Sequence, residues 1–281
     1  MDKKIAAVVV TYNRKNDLKK NLKCLKKQTR KIDRIFIIDN ASTDGTEDFI
    51  RNEINDPNIT YIKLDTNIGG SGGFYTGVKV AYEAGYDYIW GMDDDAFPDE
   101  EALNQIMKVI DLKRELACYW SNCNDDREFN NHVKEVKFWM FVGFFIPREI
   151  IDEVGFPRSD FFIYHDDSEY SIRIRRHGYK IYKVRDSKII HRSFEERDKY
   201  SKKIFGKELS LAKLSDWKLY YLVRNSILMY KWSEKGKYNM MLKVLPKLFF
   251  KLLIFNKKQI NIFVRAYIDG VMNRAGIVLR P

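Results

Sequence analysis

Short β-branched runs alternate with amphipathic stretches along the first hundred or so residues, and each run ends in polar residues. Ile5 to Val10 reads as a strand, and Asp17 to Gln28 as a helix with Leu18, Leu22 and Leu25 on one face. Arg34 to Ile38 is a second strand, Thr46 to Ile54 is helical after an Asp-Gly turn, and Ile59 to Leu64 is a third strand. Gly73 to Gly85 reads as a helix and Tyr88 to Met92 as a fourth strand. This βαβαβαβ order predicts an α/β fold with a doubly wound, mostly parallel sheet, which binds ligands at the carboxyl edge of its strands. The polar clusters sit at those edges: Thr11 to Arg14, Asp39, Asn67 to Gly73, and an aspartate triplet after the fourth strand.

That triplet, Asp93-Asp94-Asp95 in WGMDDDAFP, crowds carboxylates where an apolar run ends. Like charges so close raise one another's pKa, and a divalent cation relieves the repulsion. In extended backbone residues i and i+2 share a side, so Asp93 and Asp95 can face one ion while Asp94 points elsewhere. Oxygen ligands suit Mg2+ or Mn2+, which also take oxygens from a substrate diphosphate. The alternative is an acidic turn entering a helix, with Asp99 and Glu100 in its first turn.

At 281 residues the chain exceeds a usual single domain, which predicts one full domain with an appendage. Its three cysteines, Cys24, Cys118 and Cys123, have no metal-type or paired spacing and suggest a reducing compartment. The apolar run at the start is too short for a signal peptide, and no segment approaches a membrane span. Charge divides unevenly. Residues 201–281 hold 17 Lys+Arg against 4 Asp+Glu, a net of +13, which leaves the first 200 residues at −2. Such a segment wants an acidic partner. Leu242 to Phe255, LKVLPKLFFKLLIF, mixes lysines with Leu and Phe at helical spacing, as interfacial helices do, and so favours an anionic membrane surface over nucleic acid. Trp217, Tyr220, Tyr221, Tyr230 and Trp232 would suit a headgroup region. The alternative is a helical appendage packed on the main domain with its lysines solvated.

Other candidates keep two readings each on their residues alone. Asp39 can accept a hydrogen bond from a base N–H, with Thr11 and Arg14 holding base and phosphate, or it serves a loop Asp-Asn-Ala-Ser. The glycines of Asn67-Ile-Gly-Gly70-Ser-Gly-Gly-Phe permit close backbone approach to a ligand ahead of a helix N-terminus, though the pattern matches no standard phosphate loop. Asp166 and Asp167 precede a helix read over Ser168 to His177, with Gly178 as its stop, and suit an N-cap or a general base. His191 in KIIHRS reads as a core histidine, and His177 as a helix C-terminal one; His132 and His165 have no functional signal.

Together VVVTYNR, IIDNAS, NIGGSGGF, MDDDAFP and FFIYHDDSEYSIR resemble the inverting glycosyltransferases of family 2 with the GT-A fold, over most of residues 5–195. Within that family the motifs look most like bacterial galactofuranosyltransferases, with rhamnosyltransferases next. The resemblance implies transfer of a sugar from a nucleoside diphosphate to a saccharide acceptor with inversion. It implies Asp167 as the base and His191 as a third metal ligand with Asp93 and Asp95, an O,O,N set that suits Mn2+ somewhat better than Mg2+. Thr11, Arg14, Asp39, Asn67, Gly70 and Asp94 become the donor-binding candidates, and Asp166, Trp139 and Arg224 the acceptor-side ones. Trp139 stacks on a sugar or lies in a buried strand. Arg224, in a YYxxRN element found in related enzymes, faces a diphosphate or makes a surface salt bridge.

The expectation is thus a GT-A domain over residues 1–200 and a membrane-associating helical region over 201–281. The enzyme would extend a lipid-linked or polysaccharide acceptor of the bacterial cell surface from the cytoplasmic face of the membrane, using UDP-galactofuranose or, as the alternative, a dTDP-rhamnose donor. From other classes, a nucleotidyltransferase would release pyrophosphate instead of UDP, and a catalytically silent glycan- or lipid-binding module would tolerate Asp167→Asn.

Overall fold

A computed structural model describes residues 3–54, 56–123, 131–191, 198–204, 207–230 and 243–281. The strand at the centre of the sheet, β1 (Ile5–Thr11), is buried along its whole length. Its alternate residues enter different cores. Ile5, Ala7 and Val9 pack against Leu18, Leu22 and Leu25 of α1 (Lys15–Lys26) and against Leu103 and Ile106 of α4 (Ala102–Lys113). Ala6, Val8 and Val10 pack against Phe74 and Val78 of α3 (Gly69–Glu83), Ile150 of α5 (Arg148–Val154) and Tyr170 of α6 (Asp166–Arg176). A strand apolar on both faces needs helices on both, as the alternating pattern demands.

The parallel run occupies one half of the sheet. β3 (Ile59–Lys63), β2 (Arg34–Asp39), β1 and β4 (Tyr88–Asp93) are neighbours in that order and all parallel. Between β2 and β3 one short turn of helix, α2 (Thr46–Asp48), widens into π-type turns over Phe49–Ile54. The second half is mixed. β8 (Phe144–Pro147) lies antiparallel between β4 and β6 (Cys118–Cys123), and β6 pairs in parallel with the long β9 (Ile181–His191). The short β5 (Ala96–Pro98) and β7 (Val133–Glu135) pair with β9 antiparallel. The helix after the glycine-rich segment begins at Gly69, four residues earlier than the glycines suggest, because Gly73 and Gly77 face Val10 and Val8 and let α3 lie close on β1.

Beyond a hairpin of β10 (Lys199–Ile204) and β11 (Lys207–Ala212), α7 (Asp216–Tyr230), α8 (Leu245–Phe255) and α9 (Ile260–Val271) form a third core. Leu219, Val223, Leu252, Phe263 and Ala266 are buried in it, and so is Phe162 from the first 200 residues. Two headgroup candidates are corrected here: Tyr220 and Tyr221 are fully buried in this core. Trp217 packs edge-on against Phe162. Trp232 and Leu242 lie outside the described residues. α8 serves both of its alternatives, burying Leu245 and Leu252 inward while Phe250 is 65% exposed. Among the described residues no helix is long and apolar enough to cross a membrane.

Candidate active site

Parallel registration sets the site. Thr11 stands beside Asp39 across β1 and β2, and Val10 beside Asp93 across β1 and β4, so three adjacent strands end their apolar runs at one level. A cleft of ≈ 390 Å³ opens there. β4 runs through Asp93, the chain turns at Asp94 and Asp95, and β5 then pairs with β9 so that Ala96 lies opposite His191. That pairing carries the imidazole to the triplet. His191 Nε2 is 2.9 Å from Asp95 Oδ1 and 3.8 Å from Asp93 Oδ2.

Asp94 turns away from this pair because the chain turns at Asp94 and Asp95, and not by the alternation of an extended segment that the sequence suggests. Its Oδ2 accepts a 2.7 Å hydrogen bond from Thr11 Oγ1. Arg14, half exposed at the mouth of the cleft, donates to Asp95 Oδ2 at 2.5 Å and reaches Asp94 Oδ1 at 3.4 Å. One guanidinium thus faces three carboxylates. Burial raises Asp93 well above the ordinary carboxylate range, and the charges of Asp95 and Asp94 add to it. Burial also pushes Asp94 up to about 7 against its bond from Thr11. Burial works the same way on Asp95, but the His191 hydrogen bond, that ring's charge and Arg14 outweigh it and hold Asp95 below its usual value.

The ligating atoms of Asp93, Asp95 and His191 all lie within 4.8 Å of one another. Two carboxylates and an imidazole, converging in an anionic cleft with one compensating arginine, fit a hard to borderline divalent cation. A stability prediction follows from the raised carboxyl groups. A carboxyl with a native pKa above its unfolded value near 4 holds its proton longer in the native state, so stability falls as pH rises through that interval. His165, lowered by burial to about 4, works in the opposite sense only up to its unfolded value near 6.5. In EDTA the melting temperature should therefore fall between about pH 6.5 and 8, as Asp93, Asp94 and Asp166 ionise, and Mn2+ should restore more stability at pH 8 than at pH 6.5. A melting temperature that climbs over this window in EDTA would contradict the assignment.

The remaining candidates divide. Asn67 and Gly70 line the cleft, and Asn67 Oδ1 accepts from the Gly69 amide at 2.8 Å. A Cβ at Gly70 would meet nothing within 4 Å, so its backbone is open to a ligand. Gly69 has φ +79 and sits on the Phe162 carbonyl, which leaves room for no side chain. Asp39 does not line the cleft. It is 0% exposed, with Oδ1 accepting from the Ser42 amide at 2.8 Å and Oδ2 from the Tyr61 hydroxyl at 2.5 Å, the arrangement of its loop alternative. Trp139 is buried, its ring among Phe144 and Tyr170, though in irregular backbone and not in the strand its alternative expects. Arg224 is corrected on both readings. It is 0% exposed and does not line the cleft, and among the described residues it makes no surface salt bridge; its guanidinium donates to backbone carbonyls.

Asp166 and Asp167 open α6 within its first turn, and His165 occupies the cap position without a side-chain capping bond. Burial raises both carboxyls, and Asp167 raises Asp166 further. Asp167 Oδ1 accepts from the Ser168 amide at 2.6 Å and its hydroxyl at 3.2 Å. Asp166 lies close enough to the triplet to push Asp93 upward. Several cleft residues carry no donor-binding signal of their own in the sequence: Asn40 just past β2, Phe162 and Ile163 before α6, and Trp217 and Lys218 at the start of α7. The last two bring the basic segment to the cleft.

A family model described as glycosyl transferase family 2 matches residues 6–173, and the chain belongs to that family. It is 25% identical over 201 residues to galactofuranosyltransferase GlfT1 of Mycolicibacterium smegmatis, an alignment covering 62% of this chain and 66% of the relative. The chain thus spans just under two thirds of that relative's length. The S. aureus TarS 1-349 crystal structure superposes with a TM-score of 0.61 at 15% identity, covering 96% of this chain and 82% of that one. Mannosyltransferase PcManGT from Pyrobaculum calidifontis, solved with GDP-Man and Mn2+, gives 0.63 at 12% identity, covering 98% and 88%. These likenesses show the GT-A fold, in keeping with the family match.

Proposed function

We propose that the protein is a metal-dependent, inverting galactofuranosyltransferase that moves its sugar from UDP-galactofuranose to a saccharide or lipid-linked acceptor in cell-surface polysaccharide synthesis. The observation that carries this reading is the convergence of Asp93, Asp95 and His191 in a cleft whose wall continues into the segment bearing Asp166 and Asp167. The likeness to GlfT1 supports galactofuranose as the sugar. Mn2+ or Mg2+ held by the O,O,N set would neutralise the departing diphosphate.

The chain's own residues supply the rest. Arg14 has guanidinium donors beyond the one on Asp95, and Lys218 lines the same cleft, so both can meet diphosphate oxygens. Asp167 takes the proton of the acceptor hydroxyl as that oxygen attacks the anomeric carbon opposite the leaving UDP. One C–O bond forms as the sugar–phosphate C–O bond breaks, and the configuration inverts once. A carboxylate raised by burial is a stronger base than a solvated one, and so suits this task near neutral pH. Incubation with UDP-galactofuranose and a galactan acceptor should release UDP in step with product. Turnover of dTDP-rhamnose alone would move the assignment to a rhamnosyltransferase, and no turnover with either would favour a silent binding module.

The reading places the enzyme on the cytoplasmic face of the membrane. The outward faces of α8 and α9 support it, with Val244, Phe250, Ile254, Val264, Ile268 and Met272 exposed among Lys243, Lys247, Lys257, Lys258 and Arg265. Apolar side chains beside cationic ones suit an anionic interface. The double variant Phe250→Asp/Ile268→Asp should lose flotation with anionic liposomes. Unchanged flotation would contradict the membrane role.

A further inference from the structure

Residues 161–165, Phe-Phe-Ile-Tyr-His, form a segment that should not hold its shape unaided. Phe162, Tyr164 and His165 have φ near +67, the left-handed region that L side chains avoid. Such a conformation persists only where its surroundings over-determine it. The segment ends at Asp166, and the His165 carbonyl accepts the Glu169 amide at 2.8 Å to start α6. Its shape therefore sets where both aspartates stand.

What holds it comes from α7. The Asn225 side-chain amide donates to the carbonyls of Phe161, Ile163 and Tyr164 at 2.8, 2.7 and 3.0 Å. Its orientation is not free. Asn225 Oδ1 accepts from Arg224 Nε at 2.9 Å, and arginine can only donate, so the NH2 must face the three carbonyls. Arg224 adds bonds to the Asp160 and Phe161 carbonyls at 3.0 and 3.3 Å and ties in the Gly276 carbonyl. Ser226 Oγ donates to the Leu222 carbonyl at 2.6 Å and lies 3.0 Å from His165 Nε2. Arg224 and Asn225 are fully buried.

We infer that Asn225, flanked by Arg224 and Ser226, is a positioning residue that holds the left-handed segment 161–165 and through it aims the Asp167 base at the acceptor hydroxyl. The inference rests on the reading of Asp167 as base. It also makes the basic C-terminal segment part of the catalytic apparatus, since the base lies in the first 200 residues and its clamp in α7.

The test is Asn225→Asp in the full chain. The new side chain keeps the shape but replaces the two N–H donors with oxygen facing three carbonyls. Expected are a kcat about 100-fold lower, the scale of an ångström's misplacement, with UDP affinity in Mn2+ within about threefold of wild type. In an Asp167→Asn background the same change should lower kcat no further, because there is no base left to aim. A wild-type kcat beside an inactive Asp167→Asn would overturn the inference alone. So would a kcat loss matched by an equal loss of UDP affinity, or a full additional loss in the double variant. Near-normal turnover of Asp167→Asn would instead remove the base reading and this inference with it. If Asn225→Asp does not fold, Ser226→Ala removes one tie to His165; a severalfold lower kcat at unchanged UDP affinity is expected, and an unchanged kcat overturns the inference.

Discussion

Asp167→Asn is expected to bind UDP in Mn2+ as the wild type does and to transfer sugar about 10³-fold more slowly, within the range for loss of a general base. The substitution keeps the side chain's shape and removes its proton affinity. On the proposed reading donor binding should survive, because the cleft is built from the ends of β1 and β4, His191 and α7, while Asp167 belongs to α6. Steady-state kinetics beside equilibrium UDP binding separates these effects. The acid limb of the wild-type rate should also lie above the ordinary carboxylate range, because burial raises Asp167 and the base works only when ionised. Near-normal turnover of the variant would remove Asp167 as the base.

The second large effect is expected at Asp95. This residue joins the two halves of the candidate metal site, with one oxygen toward His191 at 2.9 Å and the other toward Arg14 at 2.5 Å. Asp95→Asn removes the anion that both partners face and one of two carboxylates from the ligand set. Mn2+ binding followed by electron paramagnetic resonance should weaken by about 100-fold or more, and transfer should fall by about 10³-fold at modest Mn2+. High Mn2+ should recover part of the rate, which separates lost affinity from misfolding. Asp94→Asn is the control: bonded to Thr11 and turned from the pair, it should retain Mn2+ affinity far better. Equal losses at positions 94 and 95 would contradict the assignment.

Local periodicity made the first half of the fold readable. In β1 and β2 the β-branched runs are buried from end to end, and Leu18, Leu22 and Leu25 are spaced for one helical face, so strand, helix and parallel order all showed in short windows. The contact between Asp95 and His191 did not. It depends on β5 meeting β9 antiparallel, a pairing of residues nearly a hundred positions apart that no local pattern encodes. Only the family resemblance pointed to His191. Glycine misled in its own way. The Gly69–Gly73 stretch reads as a loop because glycine is flexible, yet Gly73 and Gly77 are there because a Cβ would strike Val10 and Val8. Arg224 reads as exposed because arginine usually is. Its burial becomes intelligible only with the carbonyls of Asp160, Phe161 and Gly276 arranged around it, and those come from two distant stretches of chain.

The central claim is that the cleft at Asp93, Asp95 and His191 is a metal-dependent nucleoside-diphosphate site. Calorimetric titration of the full chain with UDP, in Mn2+ and again in EDTA with dTDP run in parallel, tests it most directly. The account predicts saturable UDP binding in Mn2+ that EDTA abolishes, with UDP preferred over dTDP. UDP binding of equal strength in EDTA, or none in either condition, would contradict it.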